Sequence, residues 1–289
     1  MGHTSYRGRG GKRAGPPRRP SDGGPLLPFP SAAPIPTDRC ANLGLLFDRF
    51  IRWKPGWTLD GEDKKQAFKR VVEASGLWQT GPAQQLLSAV QERQNAILAS
   101  FRAQGYAVWS ETLAMDWRLA VGLGRESVLD TGFATHRVYG LPIVPGGALK
   151  GLAAAYAQLV QNTRPQDDLF CLVFGSQDSK NAAAGRMVFF DALPARPPRL
   201  KLDLMNPHYG DYYQKKTDKR GCPIPPADYL TPVPVYFLTV EQTPFLFTMA
   251  ARDISANEHL ETAVQWLKTA LAEMGAGAKT TSGYGYFGG

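Results

Sequence analysis

Cysteine and histidine are scarce in this chain, three and four among 289 residues. Cys40, Cys171 and Cys222 are odd in number and far apart, which excludes a disulfide framework and fits a reducing cytosol. No two of these cysteines and the four histidines (His3, His136, His208 and His259) have C-x-x-C or H-x-x-x-H spacing, so no metal and no cofactor is expected. His208 and Cys222, the nearest such pair after Gly175, stand fourteen positions apart. No serine or cysteine sits in a nucleophile-like context, and hydrolase chemistry has no support from pattern. Long apolar runs are missing as well. The longest uncharged stretch, Ala74 to Gln91, holds Pro82 and four glutamines, which excludes a membrane-spanning helix. The N-terminus is basic but runs into proline instead of an apolar segment, so no secretory signal is expected. The expectation is a soluble, cytoplasmic protein.

What is present can build a core. Hydrophobic residues make up 43% and charged residues 20%, ordinary globular values. The net charge of +8 is uneven: in residues 1–36 six basic residues face only Asp22, giving +5 and leaving +3 for the remainder. That stretch also holds eight prolines and seven glycines, so residues 1–37 read as a flexible arm. Its RGRGGKR run suits loose contact with nucleic-acid phosphates, and equally a leader with no role. The folded part is expected to span 38–289, divided into a helical addition over 38–105 and a core over 106–289.

Three helical stretches are expected before residue 106. The clearest carries Leu86, Leu87, Val90, Ile97, Leu98 and Phe101 and ends at Gly105; another runs from Lys64 to Ser75. A strand from Asp116 to Leu123 follows, then a loop and a helix from about Gly147 to Gln161. Strands are expected over Met187–Asp191, Leu200–Leu204, Val233–Val240 and Phe245–Ala251, the last two closing as a hairpin through Glu241 to Pro244. Ser255 and Glu258 have capping-box spacing before an amphipathic helix through Leu260, Val264, Leu267, Leu271 and Met274, stopped by Gly275. This order of elements is α+β and resembles an elaborated ferredoxin-like (RRM-like) plan.

Two glycine-rich motifs fail as nucleotide sites. GYGYFG at 283–288 matches a dinucleotide fingerprint, but no helix follows it; GAGAKT at 275–280 lacks glycine before its lysine and follows a helix instead of preceding one. Two other readings survive. At 140–151, GLPIVPGGALKG places Gly146 and Gly147 at a helix start, where free amides and the helix dipole suit phosphate and Lys150 adds a charge. The alternative is a simple turn with a solvated lysine. At 275–289, six glycines surround Lys279, Thr280, Thr281 and Ser282, a set of donors fit for a sugar-phosphate chain without base readout. Tyr284 and Tyr286 could stack on bases or pack the core.

The terminal GAGAKTTSGYGYF closely resembles the glycine-rich loop of the RAMP superfamily, the RNA-binding subunits of CRISPR effector complexes. The stretch from Gly122 to Gly151 is similar to that superfamily's first-strand loop and first helix. CANLGLLFDRF (40–50), MNPHYGDYY (205–213) and the single glycine-rich loop resemble the sixth-subunit family of the type III-B (Cmr) complex. The resemblance covers about residues 38–289, with gaps at 163–184 and 214–228; where many relatives have serine, this chain has Gly147. It implies a ferredoxin-like RAMP domain with no catalytic residues, holding the 3′ part of the guide RNA. The implied partners are guide RNA, target RNA and the other RAMP subunits of the complex. The expected RNA-binding residues are Arg125, His136, Arg137, Gly146, Gly147, Lys150, Gly277, Lys279, Thr280, Ser282 and Tyr284. Two other functions stay open. One is a metal-dependent endoribonuclease using Asp130, with Glu126 as another acid and His136 as base. The other is a protein-only scaffold pairing through Val233 to Ala251.

Overall fold

The computed structural model describes residues 40–288, apart from 54–57, 177, 179–181, 208, 228–231 and 233. The basic arm and His208 thus lie outside the described residues. Three helices come first: α1 (Leu43–Asp48), α2 (Gly61–Ser75) and α3 (Gly81–Ala103). They are followed by β1 (Val108–Leu113), β2 (Arg118–Leu119), α4 (Gly146–Leu159), α5 (Asp168–Phe174), β3 (Gly175–Ser176) and β4 (Ala183–Ala184). The chain continues through β5 (Met187–Phe189), β6 (Leu193–Pro194), β7 (Arg199–Met205), α6 (Gly210–Tyr213), β8 (Val235–Glu241), β9 (Phe245–Ala251) and α7 (Leu260–Glu273).

Mixed helix and sheet is therefore what the sequence builds, with antiparallel pairing throughout the sheets. β9 is the middle of one sheet, with β1 on one side and β5 and β6 in succession on the other. β8 is the middle of a second, between β2 and β7, and β3 pairs only with β4. The expected β8–β9 hairpin does not form. Residues 242–244 carry the chain from one sheet to the other: Gln242 takes a φ of +48°, and Thr243 is buried, its hydroxyl donating to Glu241 O and accepting from Arg199 N–H. β9 has partners on both sides, whereas β8 is paired along its length by β7 and by β2 only at Val240 and Glu241.

Helix boundaries shift for local reasons. α2 begins at Gly61 because Asp60 and Asp63 form a reciprocal capping box. In α3 the buried positions are Ala83, Leu87, Val90, Gln94 and Leu98, while Leu86 and Ile97 from the expected stripe are exposed. Steps of three and four residues keep the buried set on one face; Leu86 and Ile97 fall beside it. The expected Ser255 cap is replaced by Asp253, whose carboxylate accepts from the Ala256 amide and starts a short 3₁₀ turn before α7. β1 was absent from the sequence reading although its VWSETL run is β-prone, and the expected strand 116–123 shrinks to the two residues of β2.

α4 lies against α7, and α2 crosses β7 and β8. Both sheets and all three N-terminal helices feed one core, which includes Phe47, Phe68, Trp78, Phe245, Phe247 and Phe287. Each such side chain contributes about 1.5–3 kcal/mol by leaving water. Near the end of the chain Phe287 forms an isolated antiparallel bridge with Met115.

Candidate nucleic-acid interface

The segment after β2 leaves the sheet and returns to it. Ala134 N–H donates to Val121 O and Gly132 N–H to Leu123 O, closing a loop whose outer part carries Arg125, Glu126 and Asp130. The returning chain then holds the start of α4: Val144 and Ala192 exchange backbone hydrogen bonds, and Asp191 Oδ1 accepts from the Gly146 amide at 2.7 Å. Gly146 is needed because a Cβ there would collide with the Phe189 carbonyl. The close backbone is the protein's own, and the amide is taken. Gly146 is therefore not a phosphate ligand, contrary to expectation. Gly147 is exposed, with open space around it.

The terminal glycine-rich segment lies along the remaining edge of β2. Gly285 N–H donates to Arg118 O and Ala278 N–H to Ala120 O, while Ala276 N–H closes the loop on Gly285 O. Gly277 has φ +90°, and a Cβ on it would strike the Ala120 carbonyl, so only glycine lets the loop lie this close.

These two segments, about 130 positions apart in the chain, line one groove of about 660 Å³. Its walls are 121–125, 134–137, Ile143, Pro145, Ala148, Asp191, Gly277 and Ala278. Arg125 and Arg137 are exposed at its rim, and among the described residues neither guanidinium has a hydrogen bond or close ion pair. His136 Nδ1 accepts from the amides of Val138 (3.2 Å) and Tyr139 (3.3 Å), and its ring stacks on Tyr139 at 4.3 Å. That leaves Nε2 as the donor of the neutral ring. Two fixed positive charges and one committed carboxylate give the groove a net attraction for anions. A neighbouring hollow of about 460 Å³ shares Arg125, but there Asp48 and Glu126 offset Arg49 and Arg125. Burial pushes the Asp48 carboxyl above its ordinary range, against the pull of Arg125 and Arg49.

Of the expected RNA-binding residues, the structure brings Arg125, His136, Arg137 and Gly277 together and sets Gly147 beside them, next to Ala148. Lys150 is not in the groove: on α4 it lies on the other side of buried Leu149 from Ala148. Lys279 follows Ala278 but takes a left-handed φ of +60° and carries its ammonium over the Phe237 ring at 5.4 Å. Thr280 and Ser282 form a 3₁₀ turn beyond the groove wall. Tyr284 is buried and unavailable to a base. Its ring lies 4.7 Å from that of Trp117 and 6.0 Å from that of Phe237, and its hydroxyl donates to Asp203 Oδ2 at 2.8 Å. Asp130, the candidate nuclease acid, is paired with Lys64 at 2.6 Å, and Glu126 lines the neighbouring hollow instead of the groove.

An ionic knot holds the loop's far end. Arg118 binds Asp203 at 2.6 Å and Glu241 at 3.4 Å, and Lys201 reaches Glu241 at 3.6 Å. Burial raises the Asp203 carboxyl, but the Tyr284 hydroxyl, the Leu204 amide and the Arg118 guanidinium outweigh it and hold the group below its ordinary range. Burial first, and Asp203 second, push the Tyr284 phenol up to about 12. Sequence reading missed this knot and Asp191, since their members meet only through pairing between distant strands.

In this α+β domain, rim arginines, an imidazole and a glycine-opened backbone converge on one groove. The model of the RAMP superfamily matches residues 117–288, and the chain belongs to that superfamily. The chain is 34% identical over 223 residues to the CRISPR system Cmr subunit Cmr6 of Pyrococcus furiosus, a match taking in 58% of this chain and spanning 64% of that relative's length. The crystal structure of Cmr6 from Pyrococcus furiosus is 30% identical, over 63% of this chain and 97% of that one, with a TM-score of 0.39. A chain of the type III-B Cmr-beta complex bound to cognate target RNA, solved by cryo-EM, shares the fold at a TM-score of 0.56 and 16% identity, over 79% of this chain and 74% of that one. Among the described residues no helix is long and apolar enough to cross a membrane.

Proposed function

We propose that this chain is a non-catalytic, RNA-binding backbone subunit of a cytoplasmic type III-B CRISPR effector ribonucleoprotein, holding the 3′ part of the guide RNA by phosphate contacts. Its neighbours are guide RNA, target RNA and the other RAMP subunits. We take its core, 106–289, as an elaborated ferredoxin-like RAMP domain with the helices of 38–105 as an addition. The likeness to Cmr6 supports this assembly.

One observation carries the reading: the loop after β2 and the terminal glycine-rich loop share a groove whose guanidinium groups are unengaged among the described residues. A subunit serving many guides must hold phosphates and leave base edges free for pairing. Arg125 and Arg137 supply charge, His136 Nε2 donates one hydrogen bond, and the Gly147 amide adds the dipole of α4. The test is RNA binding by the double variant Arg125→Ala/Arg137→Ala across unrelated single-stranded sequences at several salt concentrations. Each lost phosphate contact lowers the salt slope by about 0.7. Lys150→Ala, outside the groove, is the control expected to bind as the parent does. Unchanged affinity and slope in the double variant would overturn the proposal.

A further inference from the structure

Trp117 stands apart among the large aromatic side chains near the groove because about half of its surface (48%) is exposed. It immediately precedes β2, which leads through Ala120 into the groove wall at Val121 and Gly122. Tyr284 backs it at 4.7 Å, and the Arg118 guanidinium lies 5.1 Å from the ring while bound to Asp203 and Glu241. Beneath the surface, a row of packed neighbours links it to the groove wall: Ala278, Lys279 over Phe237, and buried Phe237 and Tyr284, the latter against Trp117. The cations Lys279 and Arg118 flank that row. An indole packed by Tyr284 and by the ion-paired Arg118, with about half of its surface exposed, has the form of a base-stacking platform.

We propose that Trp117 stacks a nucleobase of single-stranded RNA where the strand leaves the groove past Lys279. This deepens the RNA-binding reading and rests on it. Stacking needs only the π-face of a base, so the contact tolerates any guide sequence.

The full-length protein is titrated with unrelated single-stranded RNAs. Trp117→Ala is expected to weaken binding on the order of tenfold, as base–aromatic contacts do, with Trp117→Phe close to the parent. Because no phosphate contact is lost, the salt slope stays unchanged in Trp117→Ala, whereas it falls in Arg125→Ala/Arg137→Ala. RNA is also expected to quench a fluorescence component present in the parent and absent from Trp117→Phe. Parent-like affinity and quenching in Trp117→Ala, with the arginine variant weakened, would sink the platform and spare the groove. If neither variant changes RNA binding, the groove reading fails first. If Trp117→Ala binds RNA normally yet loses binding to another protein subunit, the face belongs to protein and the proposal is wrong.

Discussion

Replacing Tyr284 with phenylalanine removes one oxygen and leaves the ring packing against Trp117 and Phe237 in place. The oxygen donates to a carboxylate that also binds Arg118, and hydrogen bonds to charged groups are worth about 1.5–3 kcal/mol. Asp203 retains about 20% side-chain exposure, so screening places the expected loss near pH 7 at the lower end, about 1.5 kcal/mol. The pH dependence is more telling. The phenol is raised to about 12 in the fold against about 10 when unfolded. Its contribution is complete below pH 10 and lost as pH rises towards 12. Asp203 runs the other way: its carboxyl is held low, so its contribution is present above about pH 4 and lost as pH falls through the folded value. The parent's advantage over Tyr284→Phe should therefore be broad near neutrality and shrink at both ends. Urea unfolding of both proteins at pH 3.5, 7, 9 and 11 measures it. A difference that stays flat across that range, or is zero at pH 7, would refute the account of how the terminal loop is anchored.

Two further outcomes follow from the geometry. Gly146→Ala should destabilise by about 1–3 kcal/mol, because the Phe189 carbonyl and the Asp191 cap must both give way; thermal unfolding reads it as a lowered Tm. Asp130→Ala should cost at most about 1 kcal/mol, since its pair with Lys64 is a surface bridge, and no divalent-metal-dependent cleavage of labelled target RNA should be lost with it.

Much of this was legible in the chain. The spacing of Leu260, Val264, Leu267 and Leu271 defined α7, and the run Phe245–Ala251 coincides with β9, because both patterns record burial on local elements. β1 was missed although its VWSETL run is rich in β-prone residues. The hairpin between β8 and β9 was a local inference that failed, because Thr243 and Pro244 turn the chain towards the other sheet instead of back along the same one.

By itself the sequence determined the residue types of the site: two glycine-rich turns, with arginine and histidine in the stretch between β2 and α4, and a charge balance favouring anions. Only the tertiary structure decided which of these act together. Helix phase put Lys150 on the wrong side of Leu149, Asp191 claimed the Gly146 amide, and Phe237 and Asp203 drew Lys279 and Tyr284 into packing. The last three contacts join residues about 40 to 80 positions apart. Local patterning carries no information about such distant partners, whereas packing and hydrogen-bond satisfaction in three dimensions do.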